Sequence, residues 1–483
     1  MRLIKIDDLN FTYKNSEVSA LKNINLNIDT GKVVLICGKS GCGKSSVCKI
    51  INGLIPNYFN GEITGELFIN GDKSTNLDMV QRSKFIGSVF QNPKTQFFNS
   101  DVTSEIAFTS ENLGVDANII KQQVEKQIKD FNLENLQYRL LYKLSGGEKQ
   151  RVACAGATAM EQSLIILDEP SSNLDYKSIE KLKNILELWK KQGKTIIICE
   201  HRLYYLKDLV DEAYLMDKGE IIKSFTSKEF SNLSDDVLNA YALRSLNPLN
   251  AKSVIQKDTK ENSIIIENLT VKYKEKVALD IKNFSTKWNG VCAIVGDNGA
   301  GKSTFINSLA GLVKTKKLQI VLNSRNYTAK ELQKKCYIVS QDVTHQLFAE
   351  SVYEELACTN DITQEKIDFL LKELQLYDKK DVHPMALSGG ERQRLAVAVA
   401  LAIDKEFIFF DEPTSGLDFC NMQKISKLLN ELSMQGKTIF VITHDIEFII
   451  NACNYVLLIK DAKIQNNFTS EDFIDFFKNK SPD

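Results

Sequence analysis

The chain has 483 residues, 43% hydrophobic and 25% charged, a length beyond one ordinary core and suited to a globular protein of two or more domains. Its 61 Lys and Arg stand against 62 Asp and Glu, giving a net charge of −1. That balance argues against a general nucleic-acid binder, which would carry a basic excess, and no apolar run approaches the roughly 18 residues of a membrane-spanning helix.

The N-terminal MRLIKIDDLNFTY alternates like a strand and lacks a signal-peptide core, so the chain is expected to stay in the cytosol. Ten cysteines without framework spacing suit a reducing compartment. The first buried-strand pattern is Val33–Cys37, and Gly38–Ser46 follows it directly as GKSGCGKSS. This run matches G-x-x-x-x-G-K-[ST] and opens a helical pattern. Gly38, Gly41 and Gly43 let backbone N–H groups close around phosphate oxygens. The helix turns its positive end to the same anion. Lys44 supplies charge to the β- and γ-phosphates, and Ser45 offers a hydroxyl to Mg²⁺. Lys39, Ser40, Cys42 and Ser46 complete the phosphate loop. Cys42 reads either as a tolerated small residue or as a thiol made reactive by the helix N-terminus and the lysine. Cys37, Cys42 and Cys48 straddle segments already committed to phosphate and are not read as a metal site.

Further along come LSGGEKQR at Leu144–Arg151, LIILDEP at Leu164–Pro170, SNLD at Ser172–Asp175, and IIICEH ending at His201. Asp168 and Glu169 end an apolar strand, where side chains reach the ligand crevice of an α/β sheet. The aspartate can hold Mg²⁺ and the glutamate can orient and deprotonate an attacking water. An Asp-Glu pair at a strand end can also be a helix cap or a solvated turn, but the upstream phosphate loop favours catalysis.

The same landmarks then recur. GDNGAGKST occupies Gly296–Thr304, so Gly296, Asp297, Asn298, Gly299, Ala300, Gly301, Lys302, Ser303 and Thr304 form a second phosphate loop. LSGGERQR follows at Leu387–Arg394, FIFFDEP at Phe407–Pro413 with Asp411 and Glu412, SGLD at Ser415–Asp418, and FVITH ending at His444. Ser145 and Ser388, Asp168 and Asp411, and His201 and His444 are each 243 residues apart, whereas Lys44 and Lys302 are 258 apart. Solenoid repeats are far shorter, so this is a domain duplication. The expected division is a first domain over 1–245, a linker over 246–262 carrying Pro248 and the QKDTKEN run, and a second domain over 263–483. Continuous apolar runs at Leu164–Asp168, Thr195–Cys199, Cys292–Val295, Phe407–Asp411 and Thr438–Ile442 predict strands buried on both faces of a parallel sheet. The fold class is α/β, twice.

With the LSGGE runs in place, nearly the whole chain resembles the ATP-binding-cassette superfamily. The resemblance implies two tandem P-loop domains, each a mainly parallel sheet core with an antiparallel β subdomain and a helical subdomain, binding ATP and Mg²⁺. Ser145, Gly146, Gly147 and Glu148, with Ser388, Gly389, Gly390 and Glu391, look like the signature motifs. Gln91 and Gln341 look like Q-loop glutamines that sense metal and water, His201 and His444 like switch histidines, and Asp175 and Asp418 like D-loop acids. The metal set implied is Ser45, Gln91 and Asp168 in one copy and Ser303, Gln341 and Asp411 in the other. Tyr13 and Tyr273 resemble the aromatic that stacks on adenine, and a place in the strand core is the alternative for each. His345 and His383 read as ordinary surface residues. Such domains pair head to tail, so the resemblance implies that each signature covers the nucleotide held by the other copy. Two competent sites are expected, with Asn173 in place of the D-loop glycine found at Gly416, and Ser46 where the second copy has Thr304.

VFQNPKTQFF at Val89–Phe98, VSQDVTHQLF at Val339–Phe348, SEIAFTSENLGV, ICEHRL and ALRSLNPL resemble the energy-coupling-factor branch, whose fused ATPases serve vitamin and metal-ion uptake. ICEHRL is similar to fused ATPases of thiamine-precursor uptake. That branch implies a transmembrane scaffold and a substrate-capturing membrane protein as partners, with the ATPase peripheral on the cytoplasmic face. Gln96, Phe97, Gln346, Leu347 and Phe348 would then lie near a groove for coupling helices. Glu105, Glu354 and Glu355 would either pair with basic residues there or form a solvated helical face. The rival readings are a sugar or nucleoside importer ATPase and a soluble twin-cassette ATPase of ribosomes. The intact second phosphate loop and the short join weigh against them respectively.

Overall fold

The computed structural model describes residues 2–14, 16–250, 261–313, 319–359, 362–414 and 416–480. Residues 251–260, which hold most of the expected linker, and Ser415 of the second SGLD run lie outside them. The chain forms two compact units, Met1–Leu246 and Asn247–Asp483.

In the first unit the apolar runs pair as a six-stranded sheet. Its order is Glu220–Thr226, Glu212–Asp217, Val33–Gly38, Thr195–Cys199, Leu164–Asp168 and Ile86–Val89. All neighbours are parallel except the edge pair Glu220–Thr226 and Glu212–Asp217. Burial explains the runs, because Val33–Gly38 and Thr195–Cys199 have no exposed position. Alternate residues serve opposite faces: Val33, Leu35 and Cys37 pack with the helices Val102–Asn112, Ala117–Asp130, Gly146–Ala157 and Tyr176–Lys191. Val34 and Ile36 face the other core, shared with the helix Lys44–Ile51 and the antiparallel sheet Leu21–Asp29, Arg2–Tyr13, Gly61–Ile69 and Asp72–Lys73.

The second unit repeats this plan. Its six-stranded order is Cys336–Val339, Phe407–Asp411, Thr438–Ile442, Cys292–Val295, Tyr455–Lys460 and Lys463–Thr469, with Lys463–Thr469 antiparallel. An antiparallel sheet of Lys276–Asn289, Glu261–Tyr273, Gln319–Leu322 and Arg325–Asn326 covers one face. The helices Val352–Ala357, Gln364–Glu373 and Gly389–Ala402 contribute to the core on the other. The apolar run Leu395–Ala402 is wholly buried inside one of these helices. The strand Glu261–Tyr273 starts two residues ahead of the boundary expected at 263. Asn262 accounts for this, since its side chain is fully buried and its Oδ1 accepts from Thr438 Oγ1 at 3.0 Å.

Aromatic rings cluster in the core that the antiparallel sheet of the second unit covers, where Phe440, fully buried, lies 5.2 Å from the Trp288 ring and 5.4 Å from Phe409. Phe440→Ala should destabilise this unit by about 3–5 kcal/mol. In a Trp189→Phe background, Trp288 fluorescence during denaturant unfolding should report a lowered midpoint.

Candidate active site

The site is assembled by strand register. Asp168 pairs with Cys199 and Ile36 pairs with the same residue from the other side, so the segments beginning at Gly38, Glu169 and Glu200 emerge together at one sheet edge. In the second unit Asp411 pairs with Ile442 and Ile294 does likewise, which brings Gly296, Glu412 and Thr443 together.

The phosphate loops need glycine partly for reasons of their own scaffold. A Cβ on Gly38 would meet Met216 O at 2.2 Å, and one on Gly296 would meet Ile459 O at 2.0 Å. Gly41 and Gly299 differ: φ values of 77° and 82° favour glycine there, yet nothing lies within 4 Å of an added Cβ, which leaves open space for a ligand. Inside the first loop Lys44 is buried, and its Nζ donates to Gly38 O at 3.0 Å and Lys39 O at 2.9 Å. Lys302 does the same to Gly296 O at 2.7 Å and Asp297 O at 3.1 Å, and lies 3.1 Å from His444 Nε2. Ser45 Oγ donates to Asp168 and Ser303 Oγ to Asp411, both at 2.9 Å.

Glu169 and Glu412 sit just past the strand ends at φ 46° and 55°, a left-handed conformation uncommon for such residues. Each is fixed by its N–H, which donates to Cys199 O at 2.8 Å or to Ile442 O at 2.9 Å. The Glu169 carboxylate takes a bond from Gln91 Nε2 at 2.7 Å and faces His201 Nε2 at 3.3 Å. Glu412 faces His444 Nε2 at 3.6 Å, while Gln341 is exposed. Burial, helped by the charge of Glu169, pushes the Asp168 carboxyl up to about 6 against the opposing Ser45 hydrogen bond and the charges of Lys49 and Lys44. Burial likewise raises Asp411, opposed by the Ser303 hydrogen bond and the charge of Lys302.

The tyrosines are unequal. Tyr13 OH lies 3.0 Å from Ser46 Oγ and its ring meets Phe11 edge-on, whereas Tyr273 is 55% exposed. Tyr13 also borders a 420 Å³ open pocket with Thr12, Lys14, Ser16, Pro56 and Asn60 among its walls.

Ser145 and Ser388 are helix N-caps in reciprocal capping boxes with Glu148 and Glu391. A Cβ on Gly147 would strike Ser178 Oγ at 2.1 Å, so this glycine serves packing against the helix Tyr176–Lys191, while Gly389 has open space. Asp175 and Asp418 cap their helices by accepting from Ser178 N and Asn421 N at 2.8 Å. Gly416 takes φ 69°, and Asn173 donates from Nδ2 to Ser172 Oγ at 3.4 Å. His383 caps a short turn through Nδ1, and His345 is exposed.

One open reading closes and one expectation changes. Cys42 is 2% exposed and burial pushes its thiol up despite Lys44, which removes the reading of a reactive thiolate. Glu105 and Glu355 are neither on a solvated face nor free to pair outward. Both are buried, Glu105 accepting from the N–H groups of Phe98 and Asn99 at 3.0 and 2.8 Å, and Glu355 from Phe348 and Ala349 at 2.8 Å each. Burial raises Glu105, and those N–H donors oppose it. Sequence reading also passed over Glu200, a buried carboxylate adjoining His201. Its signal was an acid next to His201 at the end of an apolar strand.

The donor set fits a nucleoside triphosphate with a hard divalent cation, since hydroxyl and carboxylate oxygens converge beside a buried ammonium and an open glycine. The sequence profile of the family described as ABC transporter matches residues 21–172 and 279–415. The chain belongs to the ABC transporter family. Its cassettes are ATP-binding domains, and the protein is an ATPase. A relative from Treponema denticola, provisionally named an ABC transporter ATP-binding protein, is 40% identical over 97% of this chain and 98% of its own length. A Methanosarcina mazei relative of the same name is 30% identical over 96% and 88%. Among solved structures, the twin-cassette fold of this ABC protein is similar to ABCE1 in a ribosome-bound archaeal Pelota and ABCE1 assembly. There the TM-score is 0.72 at 23% identity, over 98% of this chain and 80% of that one.

Asp168→Asn removes a carboxylate whose ionisation is opposed by burial and by Glu169, and it keeps an oxygen for Ser45. The ligand-free variant should melt about 2–4 °C higher at pH 7, measured by calorimetry, while ATP turnover with Mg²⁺ is lost at this site.

Proposed function

We propose that this ATPase is the energy-coupling subunit of a membrane importer of the energy-coupling-factor type. It works at the cytoplasmic face of the membrane with a transmembrane scaffold and a substrate-capturing membrane protein. The observation that carries the reading is one aromatic displayed at the same place in each unit. Phe98 and Phe348 are 76% and 82% exposed, seven residues past Gln91 and Gln341. Each is held on rigid backbone by a buried carboxylate, Glu105 or Glu355. Gln96 and Gln346 brace the same loops, donating to Ser88 O and Ile338 O at 2.9 and 2.8 Å. A pre-ordered exposed aromatic loses little entropy on docking, which suits an anchor for an apolar partner helix. The names of the relatives, ABC transporter ATP-binding proteins, support the transporter part of this reading.

For the reaction, Lys44 and Lys302 would balance the β- and γ-phosphate charge, with the loop backbone positioning the chain of phosphates. Ser45, Asp168 and Gln91, and Ser303, Asp411 and Gln341, would hold Mg²⁺, which when bound supplies charge neutralisation at the transferring phosphoryl group. Glu169 and Glu412 would accept the proton of the attacking water, and His201 and His444 would hydrogen-bond the γ-phosphate. Gln91 holds the Glu169 carboxylate in place for that proton transfer.

Glu169→Gln or Glu412→Gln should leave ATP binding intact and slow hydrolysis at its own site by at least about 10²-fold, in single-turnover assays; a double variant with wild-type turnover would sink the assignment. Tagged protein drawn from gently solubilised membranes should bring down a multi-span scaffold and a small membrane protein, and Phe98→Ser with Phe348→Ser should lose both while retaining ATP binding. Recovery of ribosomes without membrane proteins would replace this reading with that of a soluble twin-cassette ATPase.

A further inference from the structure

Beside the first site lies a buried polar knot that none of the roles above uses. Glu200 is 2% exposed, and its carboxylate accepts four hydrogen bonds. Oε1 takes the N–H groups of His201 at 2.7 Å and Arg202 at 3.2 Å, while Oε2 takes Ser171 N–H at 3.2 Å and Tyr205 OH at 2.8 Å. Arg202 is buried as well, and its Nη1 donates to Ser171 O at 3.1 Å and Leu174 O at 3.2 Å. Ser171 stands two residues after Glu169, and Leu174 adjoins Asp175. One acid and one base thus stitch the switch-histidine segment to the D-loop segment.

Such groups are costly to bury unless their hydrogen-bonding capacity is met, and here the partners that meet it are backbone atoms on both sides of the seam together with the Tyr205 hydroxyl. The second unit is built otherwise. Its residues at the corresponding positions are Thr443, Asp445 and Thr414. Thr414 Oγ1 donates to Asp445 Oδ2 at 3.3 Å, Asp445 N–H donates to Thr443 Oγ1 at 3.0 Å, and Asp445 caps the helix Ile446–Ala452. An acid stands where the first unit has an arginine.

We infer that Glu200 and Arg202 are positioning residues for hydrolysis at the first site, locking His201 to the D-loop so that His201 and Glu169 keep one mutual geometry. The inference rests on the roles proposed for Glu169 and His201. Misplacement of a catalytic group by about 1 Å can cost about 10²-fold in rate, so loosening the knot acts on kcat rather than on nucleotide affinity. The second site, held by Thr443 and Asp445, does not depend on it.

The test is steady-state ATP turnover by the full chain in a Glu412→Gln background, where the first site carries the turnover. Adding Arg202→Met should lower kcat by roughly 10- to 100-fold with KM for ATP within about twofold. Arg202→Lys, which retains a donor, should recover part of the loss. Tyr205→Phe removes one hydroxyl from Glu200 without removing the ring, and should lower kcat by a smaller factor in a variant that folds even where Arg202→Met does not. In a Glu169→Gln background Arg202→Met should change kcat by less than about threefold. Equal losses in both backgrounds, or a raised KM at unchanged kcat, would overturn the positioning role. A Glu169→Gln/Glu412→Gln protein that still turns over at the wild-type rate would instead overturn the roles beneath it.

Discussion

The pairing of three parallel strands around one register governs each unit. A parallel sheet ends all its strands at the same edge, and buried runs such as Val33–Gly38 and Thr195–Cys199 cannot slip without exposing apolar side chains on one face or the other. Because Asp168 is held level with Cys199, the residues just beyond the strands have one place to go. The glycine loop, the acidic pair and the histidine are therefore neighbours through the sheet, although well over a hundred residues of chain separate the first from the last.

That edge is polar by necessity, and the two units solve the resulting charge problem with the same parts. A buried lysine is wrapped by the carbonyls of its own loop, and a serine hydroxyl donates to an aspartate beside it. Both aspartates are pushed up by burial, a state suited to receiving a cation. Both glutamates are held at positive φ by a backbone bond to the neighbouring strand. Strain retained at the same position of two independently packed units fits a site kept for chemistry rather than for stability.

The units part company around the histidines. In the first, Gln91 reaches Glu169 and a buried acid and arginine back the histidine segment. In the second, His444 lies against Lys302 and its loop is backed by threonines and an aspartate. Duplication preserved the atoms that would face a nucleotide and let the scaffolding behind them diverge, which is what packing allows when only the presented geometry is constrained.

The sequence by itself determined the twofold α/β plan, because apolar runs flanked by glycine loops and helical patterns have few other stable arrangements. It also exposed the phosphate loops, since a backbone cradle with a lysine and a hydroxyl requires those residue types in that order. What only tertiary structure decided were the jobs of residues whose chemistry is ambiguous until their neighbours are known. Glu105 and Glu355 read as outward-facing acids and proved to be buried acceptors for backbone N–H groups of the exposed loops. Cys42 sits beside a lysine, yet burial outweighs that charge. Gly147 read as part of a signature motif, and the fold adds that a Cβ there would strike Ser178 on another helix. Glu200 had only its place beside His201 to mark it, because its four donors come from two segments about thirty residues apart. Periodicity and motif spacing are local properties of a chain, whereas desolvation and hydrogen-bond satisfaction depend on what the fold brings alongside.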